Sequence, residues 1–207
     1  TVSDTFALTV NGVNDQPVML QAAPALSALT EDATDNLGQT VASLLGNSAS
    51  DVDGNPLGIA VTGANSGNSQ WQFSLDNGAT WQAFGSLSEA SALLLRATDR
   101  ARFLPDGKNG TNASFTYRAW DQSIGSAGGY LATTDSADAP FSALINIASV
   151  AVSALNDAPV VTRINPMFSL INTAGTVTSR TVGSLVGASI TDVDAGAQVP
   201  GIAVNAV

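Results

Sequence analysis

Apolar and polar residues alternate with a period of two through much of this chain. Phe115, Tyr117 and Ala119 fall on one parity and Thr116, Arg118 and Trp120 on the other, the spacing of a strand with two unlike faces. That alternation sets Trp120 opposite Phe115, Tyr117 and Ala119. Trp71, Phe73 and Leu75 also share a parity, and they run into Asp76-Asn77-Gly78. An Asn-Gly pair tolerates positive φ and favours a tight reversal, so 70–84 is predicted to be a hairpin with Trp81 and Phe84 on its return strand. Pro105-Asp106-Gly107-Lys108-Asn109-Gly110 is a second cluster of turn formers. Residues 141–154 predict a long final strand. Its apolar positions change parity between Ile147 and Val150, which predicts a bulge or a strand passing between sheets. Residues 122–140, rich in Gly, Ser and Ala, predict a long surface loop. No segment carries a convincing helical stripe, although 41–46 or 87–92 has room for a short turn. Short strands with regular turns predict an all-β fold built as an antiparallel β-sandwich.

The pattern also repeats at long range. Asn14-Asp15-Gln16-Pro17-Val18 returns as Asn156-Asp157-Ala158-Pro159-Val160, an offset of 142. Residues 41–53 match 182–194 at 8 of 13 positions with an offset of 141, and Gly58-Ile59-Ala60-Val61 returns as Gly201-Ile202-Ala203-Val204 with an offset of 143. Three segments in one order at a near-constant offset mark a tandem repeat of about 142 residues. Phe6, Leu8 and Val10 align with Ala148, Val150 and Val152. Residues 1–13 therefore read as the last strand of a preceding unit, 14–155 as one full unit, and 156–207 as the first part of the next.

Composition then narrows the chemistry. The 207 residues are 44% hydrophobic and 12% charged, with 17 acidic against 7 basic side chains and a net charge of −10. An acidic chain whose only lysine is Lys108 lacks the basic clusters that bind phosphate, so no nucleic-acid partner is expected. Phe141 to Leu155, the longest apolar-leaning stretch, is interrupted by Ser142, Asn146, Ser149 and Ser153, and no membrane insertion is expected. Without cysteine or histidine there is no disulfide, no thiolate or imidazole metal site and no Ser-His-Asp triad. Carboxylate chemistry, hard-cation binding, carbohydrate contact or a structural role remain. Asp51-Val52-Asp53-Gly54-Asn55 is not an EF-hand, because Pro56 and Thr62 stand where that loop needs Gly and Glu. Trp71, Trp81 and Trp120 are more often core than a sugar platform at such strand positions.

The Asn-Asp-x-Pro junction, Glu31 sixteen residues beyond Asp15, Asp51-Val52-Asp53 and Ala119-Trp120-Asp121 resemble the cadherin-like repeats of large bacterial surface proteins and adhesins. The Trp-x-Phe-Ser-x-Asp-Asn-Gly-x-Thr-Trp stretch (71–81) and the Phe-Thr-Tyr-Arg-Ala-Trp-Asp-Gln run (115–122) are similar to repeats of long VCBS/RTX-associated bacterial proteins. The resemblance covers essentially the whole chain and implies Ig-/cadherin-like β-sandwich repeats with calcium at the junctions. By motif, Asn14, Asp15, Asp51, Asp53 and Asp121 would serve a first junction. Glu31, Asp99, Asn156, Asp157, Asp192 and Asp194 would serve a second. Ca²⁺ suits such residues, since it takes six to eight oxygen ligands at about 2.3–2.6 Å. Three departures stand out. Gly12 and Ala154 replace an aspartate of the family's linker, Asp99-Arg100-Ala101 lacks the family's glutamate, and Asn172-Thr173 falls where Glu31 would repeat.

The resemblance implies a non-catalytic adhesive or structural module of a secreted or cell-surface bacterial protein. Its partners would be neighbouring repeats and, through an exposed last strand, other copies of itself in filaments or a surface layer. A carbohydrate-binding module that contacts extracellular polysaccharide is the alternative.

Overall fold

A computed structural model describes residues 3–5, 7–133, 140–162, 179, 181–197 and 201–204. Phe6, Asn172-Thr173 and residues 134–139 of the expected surface loop lie outside the described residues. Within them the chain is all-β. Its strands are β1 (Val18–Met19), β2 (Leu29–Thr30), β3 (Gln39–Thr40), β4 (Ala49–Ser50), β5 (Gly58–Asn65), β6 (Gln70–Ser74) and β7 (Gln82–Ala83). They continue with β8 (Ala92–Arg96), β9 (Arg100–Leu104), β10 (Thr111–Trp120), β11 (Tyr130–Leu131), β12 (Asn146–Ser153), β13 (Val160–Val161) and β14 (Ile190–Thr191). Two five-residue α-helices, α1 (Val41–Leu45) and α2 (Val182–Val186), and a single 3-10 turn at Gly187–Ser189 complete the described elements.

A six-stranded sheet runs in the order β11-β8-β5-β10-β12-β2 and a four-stranded sheet in the order β3-β9-β6-β7. Both contribute to one core. Phe115 of the larger sheet meets Trp71 of the smaller one edge-on at 4.9 Å, and Trp71 meets Phe103 at 5.0 Å. Phe84 closes on Phe115 at 5.5 Å. Such pairs add about 0.5–1.5 kcal/mol each beyond the area they bury, so Phe115 joins the two sheets through both Trp71 and Phe84.

The expected hairpin is present. Gln72 pairs with Ala83 and Phe73 with Gln82, while Asn77 and Gly78 take φ of 60° and 97°. The Asp76 carboxylate accepts hydrogen bonds from the Ser74 hydroxyl at 2.6 Å and from the Thr80 hydroxyl and amide at 2.6 and 2.8 Å. These bonds, led by Ser74, lower its pKa to about 2. They tie the two arms of the turn together.

β8 shows why a continuous apolar run can still be a strand. Leu93 and Leu95 face the main core, whereas Ala92 and Leu94 join Ala60, Trp120 and Phe141 in a second cluster. That cluster lies on the other face of the larger sheet. Trp120 is therefore buried opposite Phe115 and Tyr117, as alternation requires, and its indole N–H donates to the Ile124 carbonyl at 2.9 Å. Part of the segment expected to be a surface loop thus covers a sheet face.

The structure corrects the reading of the final strand. β12 is regular, with Asn146, Ala148, Val150 and Val152 buried and Ile147 half exposed. The parity change arises because Asn146 occupies an inward position. It accepts from the Ala22 amide and donates to the Leu20 carbonyl, so a polar residue satisfies backbone groups there. The register shift falls elsewhere, between Thr116 and Tyr117 opposite β5. Of the two stretches with room for a short turn, 41–46 forms α1, and in 87–92 the Ser91 amide donates to the Ser88 carbonyl at 3.0 Å in a non-helical turn. Among the described residues no strand pairs with 7–13, and Leu8, Val10 and Val13 are exposed. The alternating pattern of a strand is there, but among the described residues no neighbour takes its hydrogen bonds.

Most pairings are antiparallel, as expected. β2 runs parallel to β12, Val152 level with Leu29 and Ser153 with Thr30, and the parallel bridge of Ala25 to Ser149 precedes it. This direction brings residue 31 to the end of the sheet from which the chain leaves β12.

Candidate metal centre

Two stretches of chain build the same local scaffold. β1 pairs with β4 through Val18–Ser50 and Met19–Ala49, and β13 pairs with β14 through Val160–Thr191 and Val161–Ile190. Ahead of α1, the Thr40 side chain accepts from the Ser43 amide. Ahead of α2, Thr181 accepts from Ser184. Gly46 and Gly187 end these helices at φ of 50° and 51°, a region that glycine enters without a Cβ penalty.

The acidic residues repeat their hydrogen bonds along with the scaffold. The Asp15 amide donates to Asp53 Oδ2 at 2.7 Å, and the Asp157 amide donates to Asp194 Oδ2 at 2.9 Å. Within each Asp-Val-Asp, the second aspartate's amide donates to the first one's Oδ1, at 2.8 Å for Asp53 to Asp51 and 3.0 Å for Asp194 to Asp192. Asn14 and Asn156 each donate from Nδ2 to the carbonyl of the following aspartate.

The second set meets a buried carboxylate. The Glu31 amide donates to the Ser153 carbonyl at 3.0 Å, and the Leu155 amide donates to Glu31 Oε1 at 2.8 Å. Glu31 is wholly buried, and its Oε2 has no hydrogen-bond partner. The Asp157 Oδ2 is likewise buried and unpartnered. Carboxylate oxygens of Glu31, Asp157 and Asp194 lie within 4.8 Å of one another. Desolvation pushes the Asp157 carboxyl above its ordinary value, and the charges of Asp194, Asp32 and Asp192 add to the shift. Buried anionic oxygens without donors are costly unless a cation or proton joins them. An all-oxygen set of carboxylates fits a hard divalent cation such as calcium.

The first set is assembled through its own network. Asn14 Nδ2 donates to Asp121 Oδ2 at 2.8 Å, and Asn55 Nδ2 donates to Asn14 Oδ1 at 3.2 Å. Asp121 is buried, and its Oδ1 accepts from the Ser123 amide and hydroxyl. Asp51 keeps one buried, unpartnered oxygen. Asn14, Asp15, Asp51, Asp53 and Asp121 are thus joined by hydrogen bonds. Among the described residues, however, no three carboxylates there approach as closely as Glu31, Asp157 and Asp194.

Asp99 must be removed from the second set. It follows β8, whose Arg96 is level with Gly58, and Gly58 is level with Trp120. Glu31 lies beside Ser153, at the opposite end of β10 and β12. Asp99 is also fully engaged. Its Oδ2 accepts from the Arg96 amide at 2.6 Å and its Oδ1 from the Arg96 guanidinium at 2.8 Å, which raises the arginine's pKa. The residue closes the turn between β8 and β9.

Sequence reasoning missed Asp32, which raises the Asp157 pKa from next to Glu31 in the chain. Adjacency to Glu31 was the available signal. It also missed Asn109, whose Oδ1 accepts from the Ala195 amide at 2.8 Å. That contact spans 86 residues and has no motif. The tryptophans do not form an open platform: Trp71 and Trp120 are buried, and the Arg102 guanidinium sits 4.1 Å from the centre of the half-buried Trp81 ring. No helix among the described residues is long and apolar enough to cross a membrane. No protein-family model, curated protein or solved structure matches the chain.

Proposed function

We propose that residues 14–155 are one Ig-/cadherin-like β-sandwich repeat of a long secreted or cell-surface bacterial adhesive protein. The next repeat begins at Asn156, and calcium stiffens the joint between the two. The reading rests above all on Glu31, Asp157 and Asp194, three carboxylates with oxygens within 4.8 Å and two buried, unpartnered oxygens among them. Glu31 belongs to the unit that ends at β12, whereas Asp157 and Asp194 belong to the segment beyond it. A cation bound by all three ties two consecutive units together. Asp192 and Asn156 support the site by holding Asp194 and the backbone at Asp157. Extracellular modules of this chemistry bind calcium at roughly 0.1–1 mM.

The matching hydrogen bonds around Asp15–Asp53 and Asp157–Asp194 support a tandem arrangement with a similar joint at Asn14. Carbohydrate binding draws no support from the tryptophans. Isothermal titration with calcium, and thermal melting in EGTA against millimolar calcium, test the reading. Saturable binding and a higher Tm in calcium are expected, together with a more extended scattering profile. Identical melting curves and no binding heat would overturn it.

A further inference from the structure

We propose that Asn109 is a positioning residue, a metal-independent clasp that holds the Asp192–Asp194 loop over Glu31. Its effect on cation affinity rests on the function proposed above; the clasp itself does not. Asn109 lies in the turn between β9 and β10. Its own backbone is held there, because the amides of Lys108 and Asn109 both donate to Asp106 Oδ1, at 3.1 and 3.2 Å. The side chain then reaches across to the segment after β14. Asn109 Oδ1 accepts from the Ala195 amide at 2.8 Å, and Nδ2 lies 3.5 Å from the Val193 carbonyl as a longer second contact.

These two contacts bracket Asp194. The residue they bracket supplies the carboxylate that accepts from the Asp157 amide, and its own amide is bound by Asp192. A primary amide suits the task, since one group accepts from an N–H and donates to a carbonyl on the same loop. A lysine or arginine could not accept, and a carboxylate could not donate. At the equivalent place in the first loop stands Gly54, whose amide makes a long 3.4 Å contact to the Asp51 carbonyl instead. The Ala195 amide is turned outward to Asn109, so the second loop is fastened to the unit before it.

The loop offers a clean second perturbation. The Ala197 amide donates to the Asp194 carbonyl at 3.2 Å and Gly196 has φ of 78°, the pattern of a type II turn with Ala195 at its second position. Proline is favoured there, so Ala195→Pro removes the N–H that Asn109 receives while keeping the turn.

Asn109→Ala, Ala195→Pro and the double variant are compared by hydrogen exchange in EGTA and by calcium titration. In EGTA the Asp157 amide, which reports docking of Asp194, is expected to exchange about fivefold faster in either single variant. That is the factor corresponding to a net hydrogen bond of about 1 kcal/mol. Calcium affinity should weaken by a similar factor. The double variant should be no worse than Asn109→Ala alone, because both substitutions remove the Asn109–Ala195 bond and Asn109→Ala already removes the longer contact to Val193 as well. The Phe73 amide, deep in the sheet, serves as the folding control. If Asn109→Ala disturbs it, Ala195→Pro decides the matter. Unchanged Asp157 exchange in the folded single variants, or additive effects in the double variant, would overturn the clasp. Faster Asp157 exchange in a protein that binds no calcium would uphold the clasp and defeat the cation reading.

Discussion

Replacing Glu31 by Gln separates a cation ligand from a structural carboxylate, because the two roles carry opposite signs in the absence of metal. The substitution keeps the shape and the Oε1 that accepts from the Leu155 amide at 2.8 Å. It removes the charge and puts an amide N–H donor where the unpartnered Oε2 stood, within reach of the neighbouring carboxylates, so both changes act in the same direction without metal. Without a cation, Glu31 and Asp194 hold carboxylate oxygens no more than 4.8 Å apart. Two unit charges at that distance repel by about 0.9 kcal/mol in bulk water and about 3.5 kcal/mol at an effective dielectric of about 20. Asp194 is half-buried, so the lower part of that range applies. Relief of about 1 kcal/mol corresponds to a rise in Tm of about 2–4 °C for a domain of this size. In calcium the sign reverses. Loss of partners one shell removed from a metal typically costs 10–100-fold in affinity, and loss of a ligand should cost no less. The assay is differential scanning calorimetry of wild type and Glu31→Gln, each in EGTA and in millimolar calcium. The expected pattern is a variant more stable than wild type in EGTA and less stable in calcium. An equal drop in both buffers would refute the reasoning, since Glu31 would then act only as a buried hydrogen-bond acceptor.

Three further outcomes follow from the fold. Phe115→Ala should destabilise the protein by about 3–5 kcal/mol in chemical denaturation, because it opens a cavity where Trp71 and Phe84 meet both sheets; a cost below 1 kcal/mol would mean that the sheets do not share this core. Asp76 has its pKa lowered to about 2 in the folded state from 3.8. Its stabilisation is complete above pH 3.8 and is lost as the pH falls through about 2, so Asp76→Asn should flatten that acid limb of a stability–pH curve. Asp99→Ala should cost about 2 kcal/mol by stripping the Arg96 amide and guanidinium of their acceptor, yet leave calcium affinity unchanged. A parallel loss of affinity would return Asp99 to the candidate metal centre.

Much of the candidate site was legible because its local parts are short-range. Asp51 to Asp53 and Asp192 to Asp194 close hydrogen bonds two residues apart, and any chain with that motif can form the same turn. The Asn14-Asp15 and Asn156-Asp157 pairs bond within themselves in the same way. Asp99 was misassigned because the motif gives its sequence neighbours and not the end of the sheet on which its turn falls. The supposed bulge in 141–154 failed for a related reason. Parity treats Asn146 as a surface residue, whereas the fold gives it the buried amide of Ala22 and carbonyl of Leu20 to satisfy.

Alternation, turn chemistry and the internal repeat thus determined the all-β class, the 70–84 hairpin, the opposite facing of Trp120, and the acidic loops that recur 141–142 residues apart. These are properties of neighbours along the chain, governed by the two-residue pleat and by which residues tolerate positive φ. Only the tertiary structure decided which loop meets which carboxylate. Glu31 reaches the exit of β12 because β2 pairs with β12 in parallel, and Asp99 is carried to the far end because β8 pairs antiparallel with β5. For strands far apart in the chain, direction and register depend on which apolar faces meet in the shared core, where Phe115 packs on Trp71 and Phe84, and neighbours along the chain do not specify that meeting.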